Sequence, residues 1–175
     1  MRTESAVERK ILKISSLSST TDKNLIISRA RSVLGIYRDV VWATKRKATD
    51  LKTEAFARGS QDIETGLVYL SDFAPIDEQK DFEDRVNGLF KNKWFVFLME
   101  NTLESIKEYP EYGTLYYNIL WLSYFDNEPH KEQELLSKLS IERSAFYGRK
   151  REALLLFAIQ LWGVEIPQLR NDIRR

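Results

Sequence analysis

Side chains that could bind nucleic acid are concentrated at the start of a predicted helix near residue 143. Arg143, Ser144, Tyr147, Gly148 and Arg151 follow one another at steps of one, three, one and three residues, so they share one face of a helix. Arginine binds guanine or phosphate through paired hydrogen bonds, and the hydroxyl groups of serine and tyrosine bind bases or phosphates. The pattern therefore predicts a helix whose outer face binds duplex DNA.

Each of these residues has a predicted role in binding DNA. An arginine that binds guanine through two hydrogen bonds contributes about 1–3 kcal/mol of discrimination, and phosphate contacts make binding weaken with salt. Gly148 suits a close approach of the backbone to a groove, although it is equally compatible with chance and lowers helix propensity by about 1 kcal/mol relative to alanine. Bases are expected to contact Arg143, Ser144 and Tyr147, and phosphates to contact Arg143, Arg149, Lys150 and Arg151.

The segment 131–163 has the layout of a helix-turn-helix that could position those side chains. Its turn is predicted at Ser140, Ile141 and Glu142, with Ile141 filling the space between the two helices. The second helix is basic in its first turns and apolar in its later ones. Helical spacing predicts inner faces formed by Leu135, Leu136 and Leu139 in the first helix and by Phe146, Ala153, Leu154 and Phe157 in the second.

The rest of the chain is also predicted to be helical, because few glycines and prolines interrupt it. An apolar stripe over 22–57 predicts one helix of roughly 50 Å. Helices are also predicted over 89–109 and 112–125, and the second of these is apolar almost all round, so it should be buried. The fold class is therefore all-α, a helical bundle with a long N-terminal helix and a C-terminal helix-turn-helix.

Three regions are predicted along the chain. Residues 1–21 contain a short amphipathic helix and the polar run SSLSSTT, so they are expected to form a flexible N-terminal segment. Residues 22–110 form a helical N-terminal region, and residues 111–175 form the C-terminal helix-turn-helix domain.

Composition and charge narrow the class of protein. Cysteine is absent, which excludes disulfides, thiolate metal sites and a cysteine nucleophile. Residues 1–58 carry 13 Lys/Arg against 6 Asp/Glu, residues 59–130 carry 5 against 14, and residues 131–175 carry 9 against 6. The basic ends could bind phosphate, although solvated helix faces that pair with one another explain the same segregation. The charged start of the chain and its short apolar runs predict a cytoplasmic protein with no membrane span.

Metal and catalytic sites are not expected. The acidic residues between 77 and 84 lack the spacing of a calcium loop and have no histidine nearby, so favourable charges at a helix N-terminus explain them more simply. The single histidine, His130, follows Pro129 in a turn and is expected to be exposed. No phosphate-binding glycine loop, nucleophile elbow or paired catalytic carboxylates occur. The sequence therefore predicts no catalytic residues, no metal and no cofactor.

A family resemblance adds to these expectations. The residues LLSKLSIERSAFYGRKREAL resemble the C-terminal helix-turn-helix of sigma-factor region 4. The segment 112–163 is more closely similar to phage and prophage late-gene regulators of the ArpU/RinA kind. Three residues depart from that pattern: Ser140 replaces the usual turn glycine, Glu142 replaces a serine or threonine cap, and Lys150 lies where an apolar residue is common. The resemblance implies a sequence-specific, DNA-binding activator of late phage genes that has RNA polymerase as a further partner.

Three functional hypotheses remain open from the sequence. The first is a transcriptional regulator that binds double-stranded DNA, and a homodimer would fit it because paired half-sites enlarge a small interface. The alternative is a non-enzymatic helical protein that binds other proteins or assembles through its long helix and aromatic residues. An enzyme is the least favoured of the three, since the expected motifs are missing.

Overall fold

The computed structural model describes residues 5–14, 20–46, 64, 67–68 and 93–175. Within these residues every assigned element is helical and no strand occurs, which confirms the all-α prediction. A π-helical turn, Trp121–Phe125, follows the helix Gly113–Leu120. A second one, Leu161–Glu165, joins the helix Arg143–Gln160 to the helix Ile166–Ile173. The helices are α1 (Ala6–Ile14), α2 (Thr20–Gly35), α3 (Tyr37–Arg46), α4 (Lys93–Ile106), α5 (Gly113–Leu120), α6 (Glu132–Leu139), α7 (Arg143–Gln160) and α8 (Ile166–Ile173).

Helix α7 is the centre of the packing, and it contacts α1, α2, α4 and α5. Its C-terminal half is apolar on every side, so it can be surrounded by other helices. Leu154, Leu155 and Phe157 are fully buried there. One apolar core runs from Ile11 in α1 to Ile166 in α8. The predicted boundary between residues 110 and 111 therefore does not separate two cores, because helices from both sides pack around α7.

The predicted single helix over 22–57 is wrong in its central part, because the structure interrupts it at Ile36. Helix α2 ends at Gly35 and α3 begins at Tyr37. Glycine is a poor helix former, by about 1 kcal/mol relative to alanine. The break also allows both Ile36 and Tyr37 to be buried. Tertiary packing therefore selects two shorter helices, and residues 47–57 lie outside the described part of the chain.

The N-terminal helix α1 is packed against the core, in contrast to the flexible segment predicted for residues 1–21. The side chain of Ile11 is fully buried in the main core. Glu8 is also buried, and it forms an ion pair with Lys23 of α2 at 3.2 Å. An amphipathic helix with partners on two neighbouring helices can dock stably despite the polar sequence that follows it.

Helices α4 and α5 correspond to two predicted helices. The predicted helix over 89–109 is observed as Lys93–Ile106, and residues 89–92 lie outside the described range. The predicted buried helix over 112–125 is observed as α5 and its π-helical turn, with Tyr116, Ile119 and Leu120 fully buried. Most of 59–87, including the acidic residues between 77 and 84, also lies outside the described residues, with the exceptions of Glu64, Leu67 and Val68.

In the described residues, one continuous helix, Arg143–Ile173, has the length and apolar composition needed to cross a membrane. Half of its most apolar window is buried inside the protein. The core helix of a globular protein has the same property, so this helix is weak support for a membrane span.

Candidate nucleic-acid interface

Helices α5 and α6 and the start of α7 form a three-helix unit with its own apolar cluster. Ile119 of α5, Leu135 of α6 and Phe146 of α7 are its buried members. This cluster is distinct from the main core. It contains the predicted inner face of α6, and Ile141 packs against it as predicted. From the predicted inner face of α7 it contains only Phe146, because Ala153, Leu154 and Phe157 are buried in the main core instead. The partly buried residues around it are Leu115, Leu122, Leu136, Leu139 and Ile141.

The turn between α6 and α7 is short and has a left-handed residue at its first position. Ser140 has φ 51° and ψ 42°, a conformation that costs roughly 1–2 kcal/mol for residues other than glycine. The Ser140 N–H donates to the carbonyl of Ser137 at 3.2 Å, and the Ile141 N–H donates to the carbonyl of Leu136 at 3.3 Å. Glu142 is extended and precedes α7 without a side-chain cap. Ser140 thus adopts a backbone conformation that favours glycine, and no side-chain cap bonds to the first N–H groups of α7.

Three of the predicted DNA-binding residues lie together on the exposed start of α7. The side chain of Arg143 is 71% exposed, Tyr147 is 43% exposed, and Ser144 is also exposed. Arg143 Nε lies 2.7 Å from Glu132 Oε1, and the hydroxyl group of Tyr147 donates to Glu132 Oε2 at 2.7 Å. Gly148, one residue further on, is half-buried. The site thus consists of two donors held by one carboxylate from α6.

Arg149 points away from that group, towards α5. Its Nη1 lies 2.8 Å from Oε2 of Glu152. Its guanidinium also lies 3.7 Å from the centre of the Tyr112 ring, a distance at which cation and ring attract each other. The predicted phosphate contact of Arg149 would require it to leave both partners.

Arg151 lies against α1 and α2. Its Nε is 3.2 Å from Glu8 Oε1, and its Nη2 donates to Asn24 Oδ1 at 2.5 Å. These contacts join helices that are more than a hundred residues apart in sequence. The structure therefore places Arg151 in an interhelical ion pair, with partners other than the Glu132 carboxylate that Arg143 and Tyr147 contact.

Lys150 is half-buried between two aromatic side chains. Its Nζ lies 4.9 Å from the centre of the Tyr124 ring and 5.5 Å from that of Phe146. Burial, and the nearby positive charge of Arg31, lower the pKa of Lys150 to about 8. The ammonium group itself thus lies against aromatic side chains, whereas a lysine that buries only its stem would keep this group in water.

Replacing Lys150 with methionine is expected to raise the free energy of unfolding at pH 7 by about 1 kcal/mol, since the cost of burying the charge exceeds the attraction of the rings. Methionine keeps a long apolar side chain in the same space. Between pH 8 and 10.5 the unfolded wild-type chain binds more protons at this lysine than the folded one, so wild-type stability should rise there relative to the variant. Urea unfolding of both proteins at pH 7 and pH 10 measures the difference, and an unchanged difference would contradict the prediction.

His130 is not the exposed histidine that its position beside Pro129 suggested. Its side chain is only 10% exposed, and its Nε2 lies 2.6 Å from Asp126 Oδ2. This contact with His130 lowers the pKa of the Asp126 carboxyl. Lys138 Nζ lies 3.3 Å from the same ring nitrogen. Among the described residues, no group of three or more histidine, aspartate and glutamate side chains has the arrangement of a metal site.

Two acidic residues that matter at this interface were missed from the sequence. Glu132 looks like an ordinary acidic residue in the first turn of a helix, where the dipole favours it. Glu152 looks like one more charge in a basic helix, yet it is buried. The run of apolar residues directly after Glu152 was the one available signal that its surroundings are apolar.

Comparisons of the chain with protein-family models, with curated proteins and with solved structures gave no match.

Proposed function

We propose that the protein is a non-enzymatic, sequence-specific regulator of transcription that binds duplex DNA through the start of α7. The observation that carries the proposal is the three-helix unit of α5, α6 and α7 around Phe146. Its short turn leaves the first residues of α7 exposed, and a recognition helix uses those residues to contact base edges. Arg143, Ser144 and Tyr147 have the side chains that such contacts require.

The charge of this surface favours recognition through specific hydrogen bonds over general attraction to phosphate. Residues 131–148 contain three Lys/Arg and three Asp/Glu. Arg149 and Arg151 are already paired with Glu152 and Glu8, so they contribute to DNA binding only if those pairs break. We therefore expect a smaller salt dependence than the four predicted phosphate contacts would produce if all four were free.

Further parts of the proposal rest on the resemblance to late-gene regulators alone. They are activation of late phage genes and contact with RNA polymerase. Pairing of two copies on two half-sites is proposed because one such module makes only a small interface, and the cytoplasmic location stays a prediction from the sequence. The spacing of any two half-sites in a selected duplex would indicate whether two copies bind together.

Replacing Arg143 with alanine is expected to weaken binding to the preferred duplex about tenfold, which is the effect of losing one arginine contact to guanine. The preferred duplex is first obtained by selection from a random pool at two salt concentrations. The matched control is Arg174→Ala, which removes the same charge from an exposed residue after α8. Equal affinities of wild type and Arg143→Ala for the selected duplex would contradict the assignment of α7 as the recognition helix.

A second candidate function is a helical protein that binds other proteins, and exposed aromatic side chains favour it. Phe97 of α4 is 58% exposed, and Trp121 after α5 is 39% exposed. Aromatic residues of this kind are enriched at protein interfaces. This function predicts a concentration-dependent assembly and no preference among duplexes, and sedimentation with and without duplex separates the two candidates.

A further inference from the structure

The carboxylate of Glu132 contacts two residues of the proposed recognition surface at once. It binds Arg143 through Nε at 2.7 Å and accepts a hydrogen bond from the Tyr147 hydroxyl group at 2.7 Å. The two contacts use different carboxylate oxygens. Tyr147 thus fixes the orientation of the carboxylate, and the carboxylate in turn fixes Arg143.

The close contact of this ion pair is at Nε, and the side chain of Arg143 is 71% exposed, so its terminal nitrogens can be reached by a ligand. Those nitrogens form the fork that binds O6 and N7 of guanine. An unrestrained arginine loses rotamer entropy when it is fixed in a complex. An arginine already held at Nε loses less on binding, so its contact with guanine is stronger.

The same carboxylate lies beside the surface that would meet the phosphates. A negative charge there weakens binding to every duplex, irrespective of sequence. Contact with guanine through a held arginine strengthens binding to one class of duplex only. The first effect is the same for every duplex, so it cancels in the difference between two affinities that defines specificity. Glu132 therefore raises specificity through the held arginine, and its charge lowers only the overall affinity.

We propose that Glu132 is a positioning residue that presents the terminal nitrogens of Arg143 to a guanine in the major groove and so sets the sequence preference of the protein. The inference rests on the proposed function. It predicts a guanine in the preferred duplex whose selection requires both Arg143 and Glu132. It also predicts that loss of Glu132 raises affinity for unrelated duplexes.

The test is selection of duplexes from a random pool by wild type, Glu132→Gln, Arg143→Ala and Glu134→Gln. The last is the matched control, because Glu134 is an exposed residue of the same helix and contacts neither Arg143 nor Tyr147. We expect wild type and Glu134→Gln to select duplexes with the same guanine. Glu132→Gln and Arg143→Ala should show no preference for guanine at that position. For Glu132→Gln, affinity for the preferred duplex should fall about fivefold and affinity for an unrelated duplex should rise about twofold.

A modified base adds a second readout at the selected position. Replacing that guanine with 7-deazaguanine removes the N7 acceptor while base pairing is kept. Wild type should lose affinity for the modified duplex, whereas Glu132→Gln and Arg143→Ala should bind both duplexes nearly equally. Thermal unfolding of each variant checks that the fold is kept, as expected for an exposed site.

The possible results separate the inference from the proposed function. If wild type selects no motif at either salt concentration, the proposed function fails and the inference fails with it. A selected guanine that requires Arg143 but is kept by Glu132→Gln overturns the inference alone. The inference would also be overturned if Glu134→Gln no longer preferred that guanine, since the preference would then depend on acidic residues of α6 in general.

Discussion

Replacing Glu152 with alanine is expected to lower the free energy of unfolding by about 3 kcal/mol, because it leaves the buried hydroxyl group of Tyr116 without its acceptor and the half-buried Arg149 without its ion-pair partner. The side chain of Glu152 is buried, and three groups converge on it. It accepts a hydrogen bond from Tyr116 and forms an ion pair with Arg149, each at 2.8 Å, and it also accepts one from Ser5. These contacts join α5, α7 and the start of α1. Burial and the bond to Glu152 raise the pKa of the Tyr116 hydroxyl group well above its usual range.

Urea unfolding of Glu152→Ala and of a matched control measures this effect. The control is Glu108→Ala, which removes an exposed carboxylate after α4 and should change stability by less than about 0.5 kcal/mol. A double-mutant cycle with Arg149→Ala then isolates the ion pair, and the double variant should lose less than the sum of the two single losses. A loss for Glu152→Ala as small as that of the control would show that the buried network contributes little.

Replacing Gly113 with alanine is expected to lower the free energy of unfolding by about 3 kcal/mol, because no space exists for the added methyl group. A Cβ on Gly113 would lie 2.6 Å from the carbonyl oxygen of Lys107 and 2.8 Å from that of Ile106. Both oxygens belong to backbone at the end of α4, so they cannot move aside as a flexible side chain would. Relief of the overlap requires a shift of α4 against α5, which would also disturb the buried side chain of Tyr116.

Gly163→Ala is the matched control for this prediction. Gly163 lies in the π-helical turn before α8, and nothing lies within 4 Å of the position that its Cβ would occupy. Alanine is favoured over glycine in helical backbone by about 0.5–1 kcal/mol. The control should therefore match the wild type or exceed it in thermal unfolding, and a Gly113→Ala variant as stable as Gly163→Ala would contradict the close packing of α4 on α5.

Helix α7 has two roles in adjacent parts of its length. Its first turns form the proposed recognition surface, and its later turns form the centre of the main core. Glu152 and Arg149 lie where the two parts meet. Variants of these residues should therefore reduce stability and DNA binding together, whereas variants of Arg143 and Glu132 should change binding with little change in stability.

Much of the fold follows from the sequence because helix formation depends on local spacing. The apolar repeats around Phe146 and Phe157 predicted which face of α7 is buried, and the burial of both side chains confirms it. The helix of Tyr116 and Ile119 was predicted to be central for the same reason. The break at Ile36 was not predicted, since one glycine is tolerated in many helices and only packing shows that a break is favoured here.

The contacts of the candidate site were harder to predict from the sequence than the helices were. Arg149, Lys150 and Arg151 are consecutive and carry the same charge, so spacing alone assigned all three to phosphate. Their actual neighbours include Glu8, Asn24 and Tyr112, which are distant in sequence. A charged side chain is free or paired depending on which helix packs beside it, and that is a long-range property of the chain.

The sequence by itself determined the helical class, the buried faces of the helices and the turn at residues 140–142. Those properties depend on residue propensity and periodicity over a few turns. Only the tertiary structure decided which basic residues remain available and that one carboxylate, Glu132, holds both Arg143 and Tyr147. The physical reason is that ion pairs and hydrogen bonds require approach within about 3 Å, and the crossing of separate helices sets such distances.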